Sequence, residues 1–96
     1  MANYRFTKQA QKDIQRLIEQ GWEQFGIKQA ANYFDELEKI FELLAENPNM
    51  ARLRKELNPP VRVHPFKSHV IVFEETDSAE ILILTLRHGR ENWLEQ

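Results

Sequence analysis

The residues best suited to chemistry form two pairs, each made of an arginine and a histidine. Arg62 and His64 alternate with valines, and Arg87 and His88 directly follow the apolar run from Ile81 to Leu86. An imidazole can act as a general acid or base and guanidinium groups can hold a phosphate, so these side chains would suffice for RNA cleavage. The alternative is that Arg62 and His64 lie on a solvated sheet face and that His88 bonds the backbone at a strand end, which chemistry alone favours.

Other kinds of chemistry find little support in the sequence. The three histidines, His64, His69 and His88, include no closely spaced H-x-x-x-H pair, and the chain has no cysteine. We therefore expect no metal site, no disulfide and no cofactor. Ser68 and Ser78 fall where turns are expected, which is not the setting of a catalytic nucleophile.

The composition is that of one ordinary globular domain spanning residues 1–96. Hydrophobic residues make up 42% of the chain and charged residues 29%, and no apolar run reaches the ~20 residues of a membrane helix. The first residues also lack the apolar stretch of a signal peptide, so we expect a cytoplasmic protein that does not bind membranes. A net charge of −2 predicts no strong direct binding to nucleic acid.

The charges are unevenly distributed along the chain. Positions 50–73 hold five basic residues against the single acid Glu56, a local excess of +4, whereas the rest of the chain carries −6. The five basic residues are Arg52, Arg54, Lys55, Arg62 and Lys67. We expect a basic region on an otherwise acidic surface.

The first half of the chain predicts a short strand followed by two helices. Polar and aromatic residues alternate from Asn3 to Phe6, and Thr7 suits a helix N-cap. Apolar residues then recur at steps of three and four in two series, which Gly26 separates and Asn47-Pro48 ends. The two series predict an antiparallel helix hairpin, and they place four aromatic residues in the core: Trp22, Phe25, Phe34 and Phe41.

The second half predicts a small, mostly antiparallel sheet, which gives an α+β fold overall. The stretch NPNMARLRKELNPP is expected to be a connector with a helical turn or two and apolar contacts from Met50, Leu53 and Leu57. Three strands with short turns follow, in Val61–His64, Val70–Phe73 and Ile81–Leu86. Because every residue of the last strand but one is apolar, we expect this strand to be central and covered on both faces.

Four segments, in order, resemble the RelE/ParE superfamily of bacterial toxins. They are YRFTKQAQKDI, LAENPNMARLR, VRVHPFKSHVIVFEE and ILTLRHGRENW. The resemblance implies the same α+β fold, but it leaves two activities open. Toxins resembling RelE cleave messenger RNA, whereas toxins resembling ParE stall DNA gyrase on DNA and so block replication. The tail has no tyrosine and the net charge is negative, unlike the RelE pattern, so the ParE branch is favoured.

The resemblance also implies two contact surfaces. The gyrase-facing segment, or the residues that order it, would be Arg87, His88, Gly89, Arg90 and Trp93. A ParD-type antitoxin would wrap the helix hairpin and the sheet with an acidic segment, and its predicted contacts are Arg52, Arg54, Lys55 and Arg62. The alternatives are that these charges only keep the connector soluble and that Trp93 folds back as a lid on the core. If the protein is instead a nuclease, the catalytic candidates are Arg62, His64, Arg87 and His88.

Overall fold

A computed structural model describes residues 3–89 of the chain. The elements are β1 (Asn3–Phe6), α1 (Lys8–Glu46), a short 3₁₀ helix (Pro48–Met50), β2 (Arg52–Arg54), β3 (Val61–Phe66), β4 (His69–Glu75) and β5 (Glu80–His88). Arg90 and Trp93, two of the predicted target contacts, lie outside the described residues. The α+β fold expected from the sequence is confirmed.

The start of α1 is capped as the sequence predicts. The Thr7 hydroxyl accepts a hydrogen bond from the Ala10 N–H at 3.0 Å and donates one to the Leu84 carbonyl at 2.7 Å. The first bond satisfies a helix N–H that has no partner within the helix. The second ties the beginning of the helix to β5.

Helix α1 is bent back on itself at Gly26, which has φ 82° and ψ 169°. Side chains rarely tolerate such a positive φ, and glycine has no Cβ to clash. A straight helix of 39 residues would be about 58 Å long, whereas the molecule measures 38 Å in its longest direction. The two arms, residues 8–25 and 27–46, approach closely at Gly21, where a Cβ would lie 3.3 Å from that of Ala30. The predicted helix hairpin is therefore confirmed.

The sheet has five strands in the order β1-β5-β4-β3-β2. β1 runs parallel to β5, and the other neighbours are antiparallel. The last strand, predicted to be central, is an interior strand between β1 and β4, and β4 is the middle strand of the five. The connector was predicted without a strand, which is wrong, because Arg52–Arg54 pairs with β3. Three residues are too short a stretch to show a period of two.

The core lies between α1, chiefly its second arm, and one face of the sheet. Its buried members are Ala10, Leu37, Phe41, Leu44 and Ala45 from the helix, Ala51 from the segment after it, and Ile71, Phe73, Ile81, Ile83 and Leu86 from the sheet. The prediction that Trp22 and Phe25 are core residues is wrong, because they are 54% and 63% exposed. Every residue from 22 to 29 is exposed around the bend, so the apolar stripe extends beyond the part of the hairpin that the sheet covers.

Strand β5 contains a bulge opposite β4. Phe73 pairs with Ile83, and the residue before it in β4, Val72, pairs with Thr85. Leu84 lies between these two partners and is therefore an extra residue in β5. An extra residue moves every later side chain of a strand to the other face. The bulge therefore sets which way the end of β5 points.

The faces beyond the bulge are the reverse of those that simple alternation predicts. Leu86 is buried against the helix with Ile83, although it lies three residues further on. Alternation from Leu86 then places His88 on the helix face and Arg87 on the opposite, open face. Coverage of the second face of β5 stays a prediction: on that face Leu82 and Leu84 are half-buried, and Val72 of the neighbouring strand is 4% exposed.

Candidate functional site

A groove of about 710 Å³ lies between the helix hairpin and the end of β5. Tyr33 and Phe34 line it from the second arm, residues 67–69 line it from the turn between β3 and β4, and His88 lines it from β5. Gly89 follows immediately and donates its N–H to the Ser68 carbonyl at 2.8 Å. The predicted target segment therefore begins at the edge of this groove.

Three polar rings meet in the groove. The Tyr33 hydroxyl lies 3.3 Å from Nδ1 of His69, and the rings of His69 and His88 are 5.4 Å apart in an edge-on arrangement. Burial, and secondly the Glu36 carboxylate, raise the pKa of Tyr33 above its usual 10, so its hydroxyl stays protonated at neutral pH. The hydroxyl can thus donate to His69 when Nδ1 carries no proton.

The sequence did not identify Tyr33 and His69 as members of this site. The sequence pattern could not bring His69 and His88 together, because their pairing depends on the bulge in β5. If the register of the Phe73 and Ile83 pair continued without the bulge, Ser68 would lie opposite His88. Tyr33 lies on the second arm beside Phe34, and its ring is 5.3 Å from that of Phe66.

Arg62 forms hydrogen bonds within the fold at the edge of the sheet. Its guanidinium donates to the Ala51 carbonyl at 2.9 Å, to Oδ1 of Asn49 at 3.1 Å and to Oε2 of Glu75 at 3.1 Å. The side chain is only 14% exposed. These bonds tie the segment that follows α1 to strands β3 and β4.

The four nuclease candidates are not brought together. His64 and Arg62 share the helix face, because they pair with the buried Ile71 and Phe73. His88 is also on that face, but β4 separates it from His64, so their strands are about 10 Å apart. Arg87 points to the opposite face. Burial lowers the pKa of His64, which keeps its imidazole neutral at neutral pH.

The basic region predicted from positions 50–73 is divided between two faces of the sheet. Arg52 and Arg54 pair with Val63 and Val61 and share the open face with them, whereas Arg62 is on the helix face. Arg54 donates to Oε2 of Glu56 at 2.6 Å. The pKa of Glu56 is lowered by a hydrogen bond from its own backbone N–H and by the bond from Arg54.

Lys55 follows in the turn and is exposed, as is Arg52. Because Arg54 is paired with a carboxylate and Arg62 is nearly buried, the exposed positive charge that a partner can reach comes mainly from Arg52 and Lys55. Of the four antitoxin contacts predicted from the sequence, Arg52 and Lys55 are therefore more accessible than Arg54 and Arg62.

A buried carboxylate that the sequence did not single out lies behind the end of β5. Asp13, on the first arm, is 6% exposed. Its Oδ2 accepts hydrogen bonds from the Thr85 hydroxyl at 2.5 Å and from the Leu86 N–H at 3.1 Å, and its Oδ1 accepts one from Gln9 at 2.8 Å. Its position at a helical step from Ala10 and Leu17 was the only available signal.

Two further properties concern the described part of the chain. Among residues 3–89, no three histidine, aspartate or glutamate side chains gather into a group that could hold a metal ion. In the same range, no helix combines the length and the apolar character that are needed to cross a membrane.

The fold is that of a known class of small bacterial proteins. A solved structure titled "Chromosomal ParDE TA system from P. aeruginosa" superposes with a TM-score of 0.74 at 19% identity, covering 92% of this chain and 96% of that one. Toxin ParE1 of Caulobacter vibrioides is 29% identical over 82 residues, which is 85% of each chain. Toxin ParE1 of Mycobacterium tuberculosis H37Rv is 25% identical over 89 residues, or 93% of this chain and 91% of the relative.

Both of these relatives are toxins, and a family model matches an equally long part of the chain. The model described as "ParE toxin of type II toxin-antitoxin system, parDE" matches residues 4–93. The chain belongs to this family of ParE toxins. The resemblance stated from the sequence is thus confirmed.

Proposed function

We propose that this ParE-type toxin acts in the cytoplasm by poisoning DNA gyrase and that a ParD-type antitoxin neutralises it. The observation that carries the proposal is the family match over residues 4–93, which includes the segment ILTLRHGRENW. The structure adds support, because the residues that would serve a nuclease are dispersed. Arg62 is held by three hydrogen bonds, and β4 separates His64 from His88.

The target contact is proposed to begin where β5 leaves the sheet. Arg87 and His88 point to opposite faces there, and Gly89 is fixed to Ser68 by its backbone N–H. A side chain at position 89 would crowd the Ser68 carbonyl, since its Cβ would lie 3.3 Å from that oxygen. The described beginning of the target segment, Arg87 to Gly89, therefore has a defined position beside the groove.

The antitoxin contact is proposed to include the exposed basic residues next to β2. Arg52 and Lys55 would pair with carboxylates of an acidic antitoxin segment, while Arg54 and Arg62 would contribute less because each already has a carboxylate partner. Exposed charge pairs of this kind are weakened by salt. Binding of a co-expressed ParD-type antitoxin should therefore weaken as the salt concentration rises. This salt dependence should be smaller in the Arg52→Ala variant.

The function is tested with purified protein free of antitoxin. It is added to a gyrase supercoiling assay with ATP and plasmid, and in parallel to an in vitro translation reaction. Inhibited supercoiling with accumulation of linear plasmid, together with intact messenger RNA, is the expected result. Cleaved message with normal supercoiling would refute gyrase poisoning, and the variants His64→Gln and His88→Gln would then show which imidazole serves the cleavage.

A further inference from the structure

Strand β5 loses its neighbour β1 halfway along its length. β1 pairs only with the first part of β5, from Glu80 to Ile83. The start of α1 then takes over the edge: the Thr7 N–H donates to the Ile83 carbonyl at 3.0 Å, and the Thr7 hydroxyl donates to the Leu84 carbonyl at 2.7 Å. The next group on this edge is the Leu86 N–H, which donates to Asp13 at 3.1 Å.

The bulge in β5 is therefore held by two side chains, one from the N-cap residue of α1 and one from its first arm. Thr7 holds the carbonyl of Leu84, the extra residue, and Asp13 holds both the hydroxyl of Thr85 and the N–H of Leu86. Bulges interrupt the regular ladder between strands, so their geometry depends on partners from outside the ladder. A carboxylate supplies the stronger kind of hydrogen bond, and this one is almost entirely removed from solvent.

We propose that Asp13 is a positioning residue for the target segment. By fixing Thr85 and Leu86 it holds the bulge that turns His88 toward the groove and Arg87 toward the open face. Without the bulge the two side chains would exchange faces, because a slip of one residue reverses a strand. The inference rests on the proposed function in one respect only, that the segment beginning at Arg87 contacts the target.

The chain offers a conservative replacement that separates geometry from charge. In Asp13→Asn the amide oxygen can take the place of Oδ2 and accept from Thr85 and Leu86, while the amide nitrogen faces Gln9. Gln9 is exposed and can turn its own amide to accept that bond. Asp13→Asn is therefore expected to keep β5 in place, whereas Asp13→Ala removes both bonds to it.

The first measurement is amide hydrogen exchange of residues 85–88, made on the full chain. The matched control is Leu44→Ala, a cavity variant in the second arm whose side chain makes no hydrogen bond to β5, studied at a denaturant concentration that equalises global stability. Asp13→Ala is expected to speed exchange of the Leu86 amide at least tenfold over the control, and Asp13→Asn to restore slow exchange. Equal exchange in Asp13→Ala and Leu44→Ala would overturn the proposal.

The second measurement is inhibition of gyrase by the same proteins, normalised to folded protein. Asp13→Ala should lose at least tenfold in potency and Asp13→Asn should recover it, whereas a role confined to stability predicts equal potency for Asp13→Ala and Leu44→Ala and overturns the proposal. If the wild-type protein does not inhibit gyrase, the proposed function fails and the exchange result alone decides the role of Asp13. If Asp13→Ala does not fold, Thr85→Val removes one of the two bonds, and Leu86 exchange as slow as in the wild type would overturn the proposal.

Discussion

Two strands each carry an arginine close to a histidine: Arg62 and His64 on β3, and Arg87 and His88 on β5. The residue types are the same, but their surroundings differ. On β3, the guanidinium of Arg62 is enclosed by a carbonyl, an amide and a carboxylate, and His64 is held neutral by burial. On β5, the pair lies at the end of the strand, where His88 lines a groove and Arg87 is on the opposite face. The two pairs thus differ in position: one is built into the edge of the sheet, and the other lies at the end of an interior strand.

The largest expected effect is on the β3 pair. Arg62→Ala leaves the Ala51 carbonyl, Asn49 and Glu75 without their donor, and we expect it to lower the free energy of unfolding by about 3 kcal/mol. Urea denaturation measures this loss. Arg52→Ala, on the exposed face of the neighbouring strand, is the control and should change stability by less than about 0.5 kcal/mol. Equal losses in the two variants would show that the hydrogen bonds of Arg62 add nothing to the fold.

For the β5 pair, we expect substitution to reduce activity more than stability. His88→Ala should reduce gyrase inhibition about tenfold, which corresponds to about 1.4 kcal/mol of binding. The matched change on β3, His64→Ala, should leave inhibition per folded molecule unchanged because His64 is separated from the target segment by β4. A supercoiling assay over a range of toxin concentrations makes the comparison, and an equal loss in both variants would contradict the assignment of the two pairs.

A smaller effect is expected at the groove. Tyr33→Phe removes the hydroxyl that lies 3.3 Å from His69 and keeps the ring contact with Phe66. One hydrogen bond is worth about 1 kcal/mol, so thermal or urea unfolding should show a loss of that size. Tyr4→Phe is a suitable control, since the structure gives its ring contacts with Phe6 and Phe41 and these are kept. A loss no larger than that of the control would mean that the Tyr33 hydroxyl does not bind His69 in solution.

Most of the secondary structure could be predicted because it follows local rules. Thr7 caps a helix, Gly26 breaks one, and the turns after β3 and β4 separate stretches with a period of two. The three-residue strand β2 gave no such pattern. Trp22 and Phe25 continued the apolar stripe, but a stripe identifies a helix face without showing how far the sheet extends beneath it.

The parts of the site that could not be predicted depend on contacts between distant segments. The extra residue Leu84 reverses the faces of Arg87 and His88, and nothing in the run of apolar residues marks its position. The partners of Arg62 come from the segment after α1 and from β4, and Asp13 reaches β5 across 72 positions of sequence. Residue types therefore indicated which side chains could act, and tertiary contacts decided where in the fold each of them lies.

The smallest expected effect concerns the protonation of His64. Burial lowers its pKa in the folded protein, whereas in the unfolded chain it titrates near 6.5. Below that pH the unfolded state binds more protons than the folded state, so the contribution of His64 to stability is full above 6.5 and is lost as the pH falls toward its folded pKa. Urea unfolding at pH 7.5 and 5.5 should therefore show a larger acid-induced loss for the wild type than for His64→Gln. An equal loss would place His64 in contact with solvent, and the contrast between the two pairs would then rest on Arg62 alone.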